Sequence, residues 1–163
     1  MRRPSHLEIA DLLEKPGHLI RRAHQVSVAL FEARSGAYNI TAPQHVVMTA
    51  LFKHAHVDQV SLAAMIGLDK VTTGNIVSRL QKRGLIVRRR SPSDGRAHEL
   101  MLSEAGTRML MEMQHLVKDY HEEMLGNLTK AERAKLVKLL RRMIGVEPPQ
   151  RAAEAKTGTK RKK

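Results

Sequence analysis

Cysteine is absent from all 163 residues, which excludes a disulfide framework, a thiolate nucleophile and a thiolate metal site. Tryptophan is absent too, and aromatic residues make up 2% of the chain. Proteins that hold single strands stack bases on aromatic platforms, whereas Phe31, Tyr38, Phe52 and Tyr120 are scattered. Duplex DNA suits such a chain better than single-stranded RNA. No run of about 18 apolar residues occurs, so no membrane span is expected. Glu8 and Asp11 fall where a secretion signal needs an apolar stretch, which points to a cytoplasmic protein. Acidic residues are in short supply: 16 Asp and Glu face 29 Lys and Arg, for a formal charge of +13. That excess favours a polyanionic partner, nucleic acid or an anionic membrane surface.

What is present is an ordinary apolar fraction of 42%, set mostly at helical spacing. Leu19, Ala23, Val26, Ala29, Leu30 and Ala33 predict a helix from His18 to about Arg34, ended by Ser35-Gly36. Thr41-Ala-Pro-Gln44 fits a capping box for a second helix to about His54. Pro43 is tolerated there because first-turn amides lack intrahelical partners. Asp58 predicts the N-cap of a short helix ended by Gly67, and Asp69 caps the next, which stops before Gly84. A strand, a turn at Ser91-Pro-Ser-Asp-Gly-Arg96 and a second strand follow, with Leu85, Val87, Leu100 and Leu102 expected inward. Ser103 predicts the cap of one long helix through about Leu125. Thr129-Lys-Ala-Glu132 is a second capping box, opening a helix to about Ile144. Beyond Pro148-Pro149, six Lys or Arg against Glu154 predict a disordered tail adding nonspecific phosphate attraction. The expected fold class is mainly α with a small β-hairpin wing, a winged helix–turn–helix.

A short helix, a tight turn and a second helix can lay the second helix in a major groove, while a basic hairpin grips backbone or minor groove. Eight basic residues lie between Lys70 and Arg96 (Lys70, Arg79, Lys82, Arg83, Arg88, Arg89, Arg90 and Arg96), against one acid, Asp94. The helix after Asp69 opens with Lys70, Thr72, Thr73, Gly74 and Asn75, short side chains suited to base edges and phosphates. Ser78, Arg79 and Lys82 are candidates for phosphate contacts, while Ile76, Val77 and Leu80 suit the core. Ser61, Arg89, Arg90, Ser91, Asp94 and Arg96 complete the candidate DNA-binding set. Gly74 costs about 1 kcal/mol of helix propensity relative to Ala, which either a groove-facing backbone approach or a packing role would explain. The alternative, a solvated basic helix beside a surface hairpin, does not account for the concentration of charge.

From about Leu19 to Ile144 the chain resembles the MarR family of bacterial winged helix–turn–helix regulators. The resemblance rests on Leu62-Ala63, Ile66-Gly-Leu68, Val71-Thr72, Ile76-Val77 and Leu80-Gln-Lys-Arg-Gly84-Leu85-Ile86. It continues in Arg89-Arg90-Ser-Pro-Ser-Asp94-Gly-Arg96 and Leu100-Met-Leu102-Ser-Glu-Ala-Gly106. It implies a homodimer on a palindromic operator, with half-sites about one helical turn apart. The implied division is a flexible N-terminal arm at 1–15, a helical dimerisation region at 16–40 and 103–146, a DNA-binding lobe at 41–102 and a basic tail at 147–163. Arg96 would enter the minor groove with Asp94 steadying its guanidinium, or the two would form a turn-stabilising ion pair.

The segment Pro16-Gly-His18-Leu-Ile-Arg21-Arg22-Ala-His24-Gln25 further resembles the branch that controls aromatic-compound catabolism. That implies a repressor released by a small aromatic or heteroaromatic acid, or its coenzyme A thioester. An acid wants a cation or neutral donor in an apolar pocket. His18, Arg21, Arg22 and Gln25 on the first helix, Gln44, His45, Met48 and Phe52 on the second, and Met111 and His115 farther on are the candidates. The bland alternative makes the histidines surface or dimer contacts and Met111 a core or surface residue. Nine histidines also raise a zinc-responsive regulator, but His54/His56 and His115/His121 lack the i, i+4 spacing of a helical clamp. His121-Glu122-Glu123 is the only trace of a metallohydrolase. No metal, cofactor or catalytic residue is expected, and the chain reads as no enzyme. A nonspecific architectural DNA protein is the remaining alternative.

Overall fold

The computed structural model describes residues 9–90 and 98–146. The chain divides into two compact units, Met1–Met124 and Leu125–Lys163. The first unit contains α1 (Ile9–Leu13), α2 (Pro16–Ser35), a 3-10 turn (Gly36–Tyr38), α3 (Ala42–Lys53), α4 (Gln59–Ile66) and α5 (Lys70–Lys82). The strands β1 (Ile86–Arg90) and β2 (His98–Leu102), then α6 (Glu104–Glu112) and α7 (Gln114–Met124), complete it. The second unit contains α8 (Lys130–Met143). The chain is mostly helical with one two-stranded antiparallel hairpin, the fold class expected from its sequence.

Capping chemistry sets the boundaries. The Asp58 carboxylate accepts from the Val60 and Ser61 amides at 2.8 and 3.0 Å, filling two donors that the start of α4 leaves open. Asp69 does the same for Thr72 at 2.8 Å. Between them Gly67 takes φ +68°, where a Cβ would be strained, so α4 ends in a turn tight enough to set α5 across it. At α3 the Thr41 amide donates to Gln44 Oε1 at 3.1 Å. In the second unit the Thr129 amide donates to Glu132 Oε2 at 2.8 Å, and Arg133 Nε donates to the Leu125 and Leu128 carbonyls.

The first unit's core is built where α3, α4, α5, α6 and the hairpin meet: Val47, Met48, Leu51, Leu62, Val77, Leu80, Leu100, Leu110 and Met113 are all buried. Each fully buried aliphatic side chain contributes roughly 1.5–3 kcal/mol. The hairpin pairs Ile86 with Leu102 and Arg90 with His98, and Leu100 bridges further to Val57 in the α3–α4 linker. His56, at φ +64°, presents its amide to the Leu100 carbonyl at 3.1 Å, and Leu100 returns its own amide to Val57 at 2.8 Å.

Three local expectations change. The long helix from Ser103 is two helices, because at Met113 ψ opens to −10° and that side chain is fully buried. The break lets α6 pack on α3 and β2 while α7 runs along α2, which one straight helix could not do. In β1 the inward residue is Ile86, with Val87 only half-buried, because pairing to Leu102 puts Ile86 and Leu100 on one face. Within 1–15, expected as a flexible arm, Ile9–Leu13 is helical.

Candidate nucleic-acid interface and ligand cleft

Helix α5 has two unlike faces. Ile76, Val77 and Leu80 are buried, as expected, and Thr73 joins them. Thr72, Asn75, Ser78, Arg79 and Lys82 are exposed at the three- and four-residue spacing of one helical stripe, and Lys70 is exposed at the helix start, off that stripe. Thr73 is therefore a correction to the DNA-binding set: it is 0% exposed, and its hydroxyl has no hydrogen-bond partner among the described residues. Val71, absent from that set, is 73% exposed on the same stripe, four residues before Asn75. Its apolar type hid it from a search for polar DNA contacts.

Two members of the stripe's frame are also structural. The Thr72 hydroxyl, then its amide, hold the Asp69 carboxyl below its ordinary range. Ser61 does likewise for Asp58, its hydroxyl donating to Oδ2. Arg83 faces elsewhere: its guanidinium donates to the carbonyls of Tyr38 and Asn39, tying the end of α5 to the corner after α2. Arg89 and Arg90 are exposed along β1, opposite Glu99 and His98. Ser91, Asp94 and Arg96, and the tail at 147–163, lie outside the described residues.

A cleft of about 620 Å³ opens among α2, α3, α4 and α7. Its size falls in the range that takes a small organic molecule. Four rings gather at it. Phe31 stands 5.5 Å from His45 and 5.7 Å, edge-on, from Tyr120, and Tyr120 is 4.8 Å from His121. Ile66 and Val117 supply aliphatic wall, and Lys53 and His54 line it from the end of α3. Thr49 lines it with a buried hydroxyl that has no partner among the described residues. Tyr120 is already engaged, sharing a hydrogen bond with the Ser27 hydroxyl and donating to Met124 Sδ at 3.3 Å. Burial, and next the charge of His121, push the His45 imidazole below its ordinary range, favouring the neutral ring.

Of the ten candidate ligand residues, His45 alone lines this cleft. His18, Arg21, Arg22 and Gln25 lie along α2, where Arg21 bonds Gln25 at 3.1 Å and approaches His18 Nδ1 at 3.4 Å. Gln44 is spent on the cap of α3, and Met48 is in the core. Phe52, Met111 and His115 are exposed away from the cleft. Phe31, Thr49, Tyr120 and His121 were missed because helical spacing shows which face a residue is on, not which distant helix meets it. Among the described residues no three His, Cys, Asp or Glu side chains gather as a metal site, and no helix is long and apolar enough to cross a membrane.

Comparison with known proteins gives these features a context. The family model described as "MarR family" matches residues 40–98. The transcriptional repressor NicR of Pseudomonas putida is 33% identical over 134 residues, covering 82% of this chain and 85% of NicR. A structure of BpsR from Bordetella bronchiseptica, concerned with regulation of its DNA binding by 6-hydroxynicotinic acid, superposes with TM-score 0.79 at 30% identity. That match covers 89% of this chain and all of that one. The repressor CouR, bound to a 23-mer DNA duplex, gives TM-score 0.78 at 29% identity, covering 86% of this chain and 99% of CouR.

Proposed function

The chain belongs to the MarR family, and on that premise we propose that it is a homodimeric transcriptional repressor of duplex DNA, released by a small aromatic or heteroaromatic acid. The observation that carries the DNA half is the division of α5, with a polar and basic stripe opposite a buried face of Ile76, Val77, Leu80 and Thr73. Laid in a major groove, the stripe offers Asn75 to adenine, Val71 to a thymine methyl, and Ser78, Arg79 and Lys82 to phosphates. CouR, held on a duplex, supports the use of this fold for that purpose. Exposed Leu19 and Ile20 on α2, and Leu139 and Met143 on α8, support a second copy as their cover. Two recognition helices then read half-sites of one palindrome.

The cleft supports the ligand half. A flat ring suits the space between Phe31, Tyr120 and Ile66, and a carboxylate or ring hydroxyl would satisfy the Thr49 hydroxyl, which has no partner among the described residues. Neutral His45 can donate or accept beside it. BpsR, with its response to 6-hydroxynicotinic acid, supports this ligand class. Release requires the acid to bind better to the dimer whose recognition helices are wrongly spaced for the operator.

The test is fluorescence anisotropy of the full chain on duplex DNA from its own upstream region, with a scrambled duplex as control, across a salt series. Preference for the upstream duplex at physiological salt, weakened by 6-hydroxynicotinic acid or a hydroxybenzoate, is the expected result. Equal binding to both duplexes, vanishing together as salt rises, would support an architectural protein instead. Preference that no acid alters would end the release reading.

A further inference from the structure

Gln59, the first residue of α4, touches both elements proposed to meet DNA. Its Nε2 donates to the Lys70 carbonyl at the start of α5, at 3.3 Å. Its Oε1 accepts from Arg88 Nη2 of β1 at 3.2 Å. The same amide lies against Gly74: a Cβ built there would stand 2.8 Å from Nε2 and 3.6 Å from Cδ. Of the two explanations for a glycine in the second turn of α5, the packing one therefore holds.

We infer that Gln59 is a positioning residue for DNA reading, its side-chain amide setting the angle between α5 and β1, with Gly74 kept small to admit it. The chemistry is selective. One primary amide supplies a donor for a carbonyl and an acceptor for a guanidinium; Glu lacks the donor and Lys the acceptor. The tie acts between α5 and the first strand of the wing, so it fixes how far apart their DNA contacts fall. Losing it leaves each element intact and their mutual geometry loose. A misplaced contact costs specificity before it costs attraction, because phosphates are everywhere on a duplex and the right base edge is in one place.

The inference rests on reading α5 and β1 as the DNA-facing elements, and its test separates the two. Because the chain lacks cysteine, Gln81→Cys on α5 and His98→Cys on β2 introduce one spin-label pair per protomer, and dilution with excess unlabelled protein isolates the distance within a protomer. Gly74→Ala, Gln59→Ala and the double variant are compared with the parent by label-to-label distance distribution, thermal midpoint and binding to upstream and scrambled duplexes. The expected distribution is narrow in the parent and broader in all three variants. Each single variant should lose about tenfold of the upstream-over-scrambled preference, and the double no more than either, since one amide carries both effects. Scrambled-duplex binding should be unchanged. The midpoint of Gly74→Ala should stay level or rise, because the clash is with the free end of a flexible side chain and Ala favours helix. Unbroadened distances, multiplying losses, or equal losses on both duplexes with a falling midpoint would each overturn the role. Broadened distances in a parent that prefers neither duplex would uphold the positioning and sink the proposed operator binding.

Discussion

Thr72 and Thr73 are the same residue type one position apart, with opposite surroundings. The first holds the cap of α5 on an exposed face; the second is sealed inside, its hydroxyl without a partner among the described residues. Burying an unpaired hydroxyl costs about 1–3 kcal/mol, so Thr73→Val should raise stability by about 1 kcal/mol in urea melts with DNA binding unchanged. Asn75→Ala should do the reverse, weakening the upstream duplex about tenfold while leaving the melt in place. A sequence shows that both threonines open a helix, but not which one turns inward, since that depends on α5 rotating to bury Ile76, Val77 and Leu80. His45 carries a pH prediction. An unfolded histidine takes a proton near pH 6.5, and the folded His45 only at lower pH. Its contribution to stability is whole above that range and is lost as pH falls through the folded value. Between about pH 7 and pH 5 the parent's thermal midpoint should fall more steeply than that of His45→Phe. Parallel slopes would remove His45 from the account.

At the scale of elements, what was legible is what is local. Thr41, Asp58, Asp69, Ser103 and Thr129 each announce a helix start because a cap involves residues within three positions. The ring cluster of Phe31, His45, Tyr120 and His121 was illegible because it joins three helices far apart in the chain. The break at Met113 escaped too, for it follows from where α6 and α7 must pack and no proline or glycine marks it. Gly106 marks the tightest approach. A Cβ there would stand 2.1 Å from the Leu85 carbonyl oxygen, which already accepts the Ser103 amide at 3.0 Å. Backbone cannot step aside as a side chain does, so Gly106→Ala should cost about 3 kcal/mol in a denaturant melt. An unchanged midpoint would mean that α6 sits farther from the hairpin than described.

At the scale of the whole molecule, charge and oligomeric state decide how strongly DNA is held. Leu139→Glu with Met143→Glu puts two carboxylates on an exposed apolar face of α8. If a second copy covers that face, sedimentation should show monomers, and operator affinity should fall by about a hundredfold as two-handed binding is lost. Deleting residues 150–163 removes six cations and one anion. The slope of affinity against salt should then flatten with preference between duplexes unchanged. Lys53 and His54 line the cleft; two residues on, His56 and Val57 are bonded to Leu100 inside the wing. If the cleft takes an acid, sensor and reader are neighbours along the same thread, with Ala55 alone between His54 on the cleft wall and His56, which bonds the hairpin. Slack introduced at that one joint, a single glycine inserted after His54, should leave a protein that still grasps its operator and no longer hears the acid.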